Sequence, residues 1–299
     1  MIATIESETK KRVGVQPLRS FKTAFGCPRE FLDNRFVYLV VSPRAKGLSV
    51  GVNMNPDKLC SFDCGYCEVD RETPGRSGRL DVDVMAAELV QTLNCVQEGR
   101  LRELPCYCNL PDELLQLRHV ALSGDGEPTL CPNFTEAVQA LVHIRALGSF
   151  AFFKIVLITN ASGLDLPEVQ YGLKFFTKRD EVWAKLDAGT QLYMDRVNKS
   201  EIPLEKIIAN ILMLGRQRPV IIQSLFPQLN GKEPPEEEIQ QYAQRLLELK
   251  NGGAQIPLVQ IYSATRPTPH SECGHLPLKS LSRIAQTVRM ITSLKVEVF

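Results

Sequence analysis

Charge of one sign is missing from this 299-residue chain: 35 Lys and Arg stand against 34 Asp and Glu, a formal net charge of +1. There is no global basic field of the kind that attracts nucleic acid, so RNA is a possible ligand only through a local patch and is not the favoured one. No apolar run is long enough to cross a bilayer, and no membrane span is expected. Internal repeats and low-complexity tracts are absent. The four histidines, His119, His143, His270 and His275, show no metal-ligand spacing. No secretory leader is recognisable, and the Glu6, Glu8 and Lys10-Lys11-Arg12 residues do not suit a transit peptide. With nine cysteines, that leads to the expectation of a reducing cytoplasm.

Three of those cysteines lie on one short stretch, Cys60-Ser61-Phe62-Asp63-Cys64-Gly65-Tyr66-Cys67. Iron–sulfur clusters usually take four thiolates. A trio spaced C-x₃-C-x₂-C holds three irons of a four-iron cubane and leaves the fourth open to a small chelating ligand. A structural zinc site normally needs a fourth ligand, often as part of a second pair, and no partner pair stands at a suitable distance. A non-catalytic iron–sulfur or zinc protein stays open as the alternative. Among the other cysteines, Cys95 falls within a predicted helix and reads as packing. Cys106 and Cys108 lack C-x₂-C spacing and read as unconnected thiols. The alternative for them is an auxiliary cluster drawing on Cys27, Cys106, Cys108, Cys131 or Cys273.

Hydrophobic periodicity alternates strands and helices. Strands are predicted at 36–41, 48–53, 119–123, 154–159, 181–187, 220–225, 258–263 and 294–298. Helices are predicted at 82–97, from Pro132 to 147, at 167–177, 203–214, from Pro234-Pro235 to 249, and at 278–291. Repeated βα units imply a parallel sheet with right-handed crossovers. Six main units suit an α/β fold, a partial (β/α)6 TIM-like barrel over residues 36–299, preceded by an N-terminal extension at 1–35. The segment 98–118 is an irregular insertion.

In βα barrels the chemistry gathers at the C-terminal ends of the strands. Here those ends carry the cysteine trio, Gly124-Asp125-Gly126-Glu127, Asn160, Lys185 and Asp187, Gln223, and then Gln260 and Tyr262. Alternation along the strand at 181–187 sends Val182, Ala184 and Leu186 to the outer helices and turns Lys185 and Asp187 into the barrel. Buried charges are costly unless paired or used. The pair is therefore either an internal ion pair or a contact to cofactor or substrate. The glycines at 124 and 126 are expected to let the backbone approach a ligand closely.

The trio, with Tyr66 before its last cysteine and Ser123-Gly124-Asp125-Gly126-Glu127-Pro128 one βα unit later, resembles the signature of the radical S-adenosylmethionine (SAM) superfamily. Gly47–Asn53, Lys185-Leu186-Asp187-Ala188 and Gln260-Ile261-Tyr262-Ser263 resemble the branch that includes the wyosine-type tRNA synthases. The resemblance implies a [4Fe-4S] cluster on Cys60, Cys64 and Cys67. It also implies SAM bound by Tyr66, Gly124, Asp125, Gly126, Glu127, Asn160, Asp187, Gln223 and Tyr262, with Lys185 and Asp187 in the reaction. Glu127 is expected to accept from the methionine ammonium. Asp187 is expected to serve the ribose or substrate hydroxyls, and Lys185 to hold a carboxylate or, if desolvation lowers its pKa, form a Schiff base. The implied activity is reductive cleavage of SAM to a 5′-deoxyadenosyl radical that abstracts hydrogen. A low-potential donor, flavodoxin or ferredoxin, would drive it. The wyosine-type members carry several N-terminal cysteines for a second cluster, whereas only Cys27 precedes the trio here. The expected substrate is therefore a small metabolite or a peptide, with wyosine-type tRNA modification as the alternative.

Overall fold

The structure, a computed structural model, describes residues 31–75, 78–266 and 270–299. Most of the expected N-terminal extension, Cys27 included, lies outside the described residues. No described helix is long and apolar enough to cross a membrane.

A four-residue turn joins β1 (Val37–Ser42) to β2 (Gly47–Asn53), and the two pair antiparallel as so short a link requires. From β2 onward the sheet is parallel. It runs through β3 (Leu117–Ser123), β4 (Lys154–Thr159), β5 (Glu181–Lys185), β6 (Val220–Leu225), β8 (Val259–Tyr262) and β10 (Val296–Val298), neighbours in that order. The eight strands curl into a half barrel, the partial TIM-like fold the βα alternation predicts. Two short strands, β7 (Gln228–Leu229) and β9 (Cys273–Gly274), pair antiparallel outside it. Lys46 in the first turn lies 3.5 Å from Glu297 of β10, so the two edges of the half barrel approach each other.

Helices cover the outer face: α1 (Val82–Gln97), α2 (Asp112–Leu115), α3 (Phe134–Ala146), α4 (Pro167–Gly172), α5 (Gln191–Val197), α6 (Leu204–Gln217), α7 (Glu236–Asn251) and α8 (Leu278–Thr292). Helix α1 shows why. Asp81 caps its first turn by accepting from the Val84 amide, and Met85, Leu89 and Leu93 repeat on one buried face. Strands covered on both sides have near-continuous burial, and all seven residues of β2 are buried.

The lumen is a separate small core. Val156, Trp183 and Ile221 pack there with Ile158 and Leu258. Beneath them His119 meets the Trp183 ring edge-on at 5.2 Å, and its Nε2 lies 2.8 Å from the Ser49 hydroxyl. This apolar cluster fills part of the lumen, and the polar groups gather at the C-terminal rim.

Helix α5 is not among the predicted elements, because seven residues are too few to show a helical period. Thr190 starts it by accepting from the Tyr193 amide, and Tyr193, Met194 and Val197 are buried. The predicted helix at 167–177 ends as an α-helix at Gly172 and finishes as a single tighter turn. Gly172 cannot take a side chain there, since a Cβ would lie 2.8 Å from the Phe134 ring.

Candidate active site

A cavity of about 280 Å³ opens at the C-terminal ends of the parallel strands. Cys60, Cys64 and Cys67 line it, as do Tyr66, Gly124, Asp125, Gly126, Glu127, Asn160, Lys185 and Tyr262. Residues placed at the strand ends by sequence periodicity therefore converge on one space. Asp187 and Gln223 do not line it.

The cysteine loop follows β2 and is held from two sides. Gly65 and Asp63 donate through their amides to the carbonyls of Val197 and Asn198, at 2.8 and 3.0 Å. These two carbonyls sit at the end of α5. On the other side, the Glu127 amide donates to the Leu59 carbonyl at 2.9 Å. Each sulfur has a donor within reach. Asn198 Nδ2 is 3.4 Å from Cys64 Sγ, Asn160 Nδ2 is 3.7 Å from Cys60 Sγ, and Arg71 Nη2 is 3.9 Å from Cys67 Sγ. Such donors orient thiolates and temper their charge when metal is bound. Without metal, burial pushes the Cys60 thiol up to about 11 and the Cys64 thiol up to about 12, with Glu127 and Asp187 adding to the respective shifts.

The stretch 124–127 is fastened to the cysteine loop rather than left free. Asn53, at the end of β2, accepts from the Asp125 amide at 3.0 Å and donates to its carboxylate at 2.7 Å. The two glycines face protein. A Cβ on Gly124 would stand 2.2 Å from Asn53 Oδ1, and one on Gly126 would stand 2.0 Å from the Leu59 carbonyl. Gly124 also has φ +130, where a side chain is strained. The glycines line the cavity, where close approach of a ligand is expected, and they also give room for the neighbouring loop.

Glu127 is buried and lines the cavity, but its carboxylate is already occupied. It accepts from Thr129 N at 3.1 Å, Thr129 Oγ1 at 2.7 Å, Thr159 Oγ1 at 2.5 Å and Asn160 N at 2.7 Å. Burial raises its pKa, and these four donors work against the rise. Glu127 thus ties the ends of β3 and β4 together, which brings Asn160 beside Cys60.

Lys185 turns into the lumen with Trp183, as strand alternation predicts. Its Nζ donates to the Tyr262 hydroxyl at 3.2 Å and lies 3.4 Å from Asp187 Oδ1. Asp187 sits one layer behind the cavity wall. It accepts from the Tyr66 hydroxyl, from Asn198 Nδ2 at 2.9 Å and from the Leu225 amide at 2.8 Å. Burial alone would depress the Lys185 pKa, but Asp187 and Tyr262 outweigh it and hold the ammonium above its ordinary 10.5. The desolvation needed for a Schiff-base nucleophile is present, and its effect is overridden. Gln223 is buried and bonds Gln260 at 2.8 Å, while Leu225, two residues further along the same inward face, reaches the cavity.

Three residues of this site carried no sequence signal: Arg71, beside Cys67, is one. Asn198, at the end of α5, joins Cys64, Tyr66 and Asp187. Arg44 comes from the turn between β1 and β2 and lines the cavity from the opposite end of the barrel. Cys108 is exposed, Cys131 is buried under α3, Cys273 lies in β9, and Cys106 is disulfide-bonded rather than the unconnected thiol its spacing suggests. Among the described residues no three His, Cys, Asp or Glu side chains stand close enough to hold a single metal ion. A four-iron cluster spreads its thiolates over separate corners and does not need that convergence.

No family model matches the chain. A UPF0026 protein of Helicobacter pylori is 30% identical over 177 residues, 59% of this chain and 49% of that protein. A UPF0026 protein of Synechocystis is 27% identical over 179 residues, 58% of this chain and 57% of that protein. The chain spans about half the length of the first of these. Among solved structures, TYW1 with a lysine–pyruvate adduct bound superposes with a TM-score of 0.56 at 15% identity, covering 84% of this chain and 75% of that one. SuiB of Streptococcus suis bound to S-adenosylmethionine gives 0.55 at 15% identity, covering 82% and 49%. At these identities the likeness is one of fold.

Proposed function

On a chain that shares the partial barrel of the radical SAM superfamily, we propose an enzyme that uses a [4Fe-4S] cluster and SAM to abstract hydrogen from a small metabolite or peptide. One observation carries this reading: the three cysteines of a single loop open onto the same cavity as Lys185 at the end of β5 and the loops that follow β3, β4 and β8. The donor set fits the cluster, with three thiols and a nitrogen donor beside each sulfur. When bound, cluster and cofactor supply reductive cleavage of a carbon–sulfur bond and a carbon radical able to take an unactivated hydrogen.

The residues of this chain supply the setting. Cys60, Cys64 and Cys67 hold the cluster, and Asn160, Asn198 and Arg71 orient their sulfurs. Backbone groups of 124–126, fixed by Asn53 and Leu59, present the edge on which the methionine moiety rests. Glu127 positions that edge and Asn160. Lys185 stays an ammonium and offers charge to an anionic group, and Tyr66, Asn198 and Asp187 hold it in place. Lys185 is the lysine lining this cavity among the described residues. Its ion pair with Asp187 supports charge recognition over covalent attachment. The low-potential electron donor would be a flavodoxin or ferredoxin. The reading is tested by anaerobic reconstitution. Wild type should bind about four irons and four sulfides and then SAM by calorimetry. Cys60→Ala/Cys64→Ala/Cys67→Ala should bind neither, and a full cluster on that variant overturns the assignment.

A further inference from the structure

Arg44 is a cation in the cavity whose Nε finds no hydrogen-bond partner among the described residues. It leaves the turn at the N-terminal end of the barrel, opposite the cysteine loop, and enters the lumen from below. Its guanidinium lies over the Tyr262 ring, 4.0 Å from the centroid, and lines the cavity that the cysteines line. The other cations in that wall are engaged. Arg266 pairs with Glu68 at 2.9 Å, Arg71 donates to the Lys58 carbonyl at 2.6 Å, and Lys185 pairs with Asp187. Among the described residues the Arg44 Nε is enclosed without a hydrogen-bond partner.

An arginine cannot lose its proton to relieve an enclosed site, and enclosed donors left unmade are costly. Stacking on Tyr262 holds the plane of the guanidinium but satisfies none of its five N–H groups. An anion bound in the cavity would supply the partner that the described residues do not. Tyr262 also sets the position of Lys185, whose Nζ donates to its hydroxyl and lies 5.4 Å from its ring centroid. The two cations therefore flank one aromatic ring. Asp187 already balances Lys185, so close to one positive charge is left. That matches a singly charged, planar carboxylate, which a guanidinium holds with two parallel hydrogen bonds, better than a phosphate of higher charge. Because the cavity of about 280 Å³ also receives SAM on the reading above, the group beside Tyr262 has to be compact.

We propose that Arg44, seated on Tyr262 beside Lys185, binds a carboxylate of the substrate, so that the enzyme acts on a small organic acid. The proposal rests on the reading of this cavity as the reaction chamber. Its test is calorimetric titration of the reconstituted full chain, with SAM present, using acetate, lactate, pyruvate and succinate, their matched amides, and inorganic phosphate. Wild type, Arg44→Gln and Arg44→Lys are compared, each checked for melting temperature. At least one acid should bind wild type, with its amide at least tenfold weaker. Arg44→Gln should weaken that acid by roughly ten- to a hundred-fold and leave its amide unchanged, while Arg44→Lys, keeping charge without the fork, should fall between. No binding by any acid, equal binding of acids and amides, an unchanged affinity in Arg44→Gln, or phosphate binding more tightly than every acid overturns it. Should Arg44→Gln fail to fold, Arg44→Lys and the acid–amide comparison on wild type decide. The radical reading fails separately: wild type that binds an acid through Arg44 yet forms no 5′-deoxyadenosine keeps this site and loses that reaction.

Discussion

The two ends of β5 each carry a buried ion pair, and the pairs are built differently. At the N-terminal end Asp180 receives Arg145 through both guanidinium nitrogens, at 2.7 and 3.2 Å. It also accepts from the amides of Ile155 and Thr177 and from the Thr177 hydroxyl, so every lone pair is used. Burial alone would raise the Asp180 pKa, and these partners reverse the effect and hold it below 3.8. At the C-terminal end Lys185 meets Asp187 through one contact at 3.4 Å, and its side chain keeps 16% exposure toward the cavity against 8% for Arg145. A closed, forked pair fastens strands; an open, single contact beside a cavity keeps a charge available. The strand is one piece of chain, and its burial pattern alone does not separate the two roles.

The largest expected effect breaks the closed pair. Arg145→Met leaves Asp180 buried without its cation and should lower unfolding free energy by about 3–5 kcal/mol. SAM affinity of the folded protein should be unchanged, as read by denaturant titration and calorimetry. A variant as stable as wild type would show that the forked pair does not hold the sheet.

Glu127 sharpens the comparison, since it is a buried carboxylate with four donors and no cation. Glu127→Ala should cost about 1.5–3 kcal/mol, because Thr129, Thr159 and the Asn160 amide all lose their acceptor. SAM affinity should fall with the melting temperature, because the same loop carries both. A loss of affinity without loss of stability would make Glu127 a direct ligand instead.

Lys185→Met tests the open pair. Asp187 keeps Tyr66, Asn198 and the Leu225 amide and loses a single contact at 3.4 Å rather than a fork, so the loss of stability should be smaller than in Arg145→Met. The yield of 5′-deoxyadenosine per folded protein should change at least several-fold. A stability loss equal to that of Arg145→Met, with normal turnover of the folded fraction, would make both pairs structural.

The last effect shows only on acidification and lies at the lumen floor, where His119 is buried with Lys154 and Arg44 nearby. Burial, with Lys154 and Arg44 nearby, pushes its pKa down to about 3 from 6.5. The unfolded chain then binds the proton first, so stability is fully present above pH 6.5 and is lost as pH falls toward 3. Below pH 6.5 the slope from this group is at most about 1.4 kcal/mol per pH unit. Melting scans between pH 7 and 5 should show a shallower fall in His119→Leu than in wild type; parallel curves would contradict this.

Much of the frame was legible because period and punctuation agree. The strands Lys154–Thr159 and Val220–Leu225 and the helix Val82–Gln97 have their predicted bounds. The cysteine spacing and the strand-end polar groups point to one rim. What stayed hidden depends on layering and closure. Alternation turns Lys185 inward but does not say that Asp187 and Gln223 stop a layer short of the cavity. Helix α5 is too short for a period, so Asn198 beneath Cys64 left no trace. Arg44 belongs to the site because the half barrel curls until its first turn reaches under Tyr262, a long-range consequence that no local pattern encodes.

The central claim is that Cys60, Cys64 and Cys67 support reductive cleavage of SAM in this cavity. The most direct measurement is anaerobic incubation of the reconstituted protein with SAM and dithionite, followed by chromatographic quantitation of 5′-deoxyadenosine and methionine. The account predicts that both accumulate with wild type and that neither accumulates above the protein-free background with Cys60→Ala/Cys64→Ala/Cys67→Ala. A wild-type protein that carries its full complement of iron and sulfide yet forms no 5′-deoxyadenosine would contradict it.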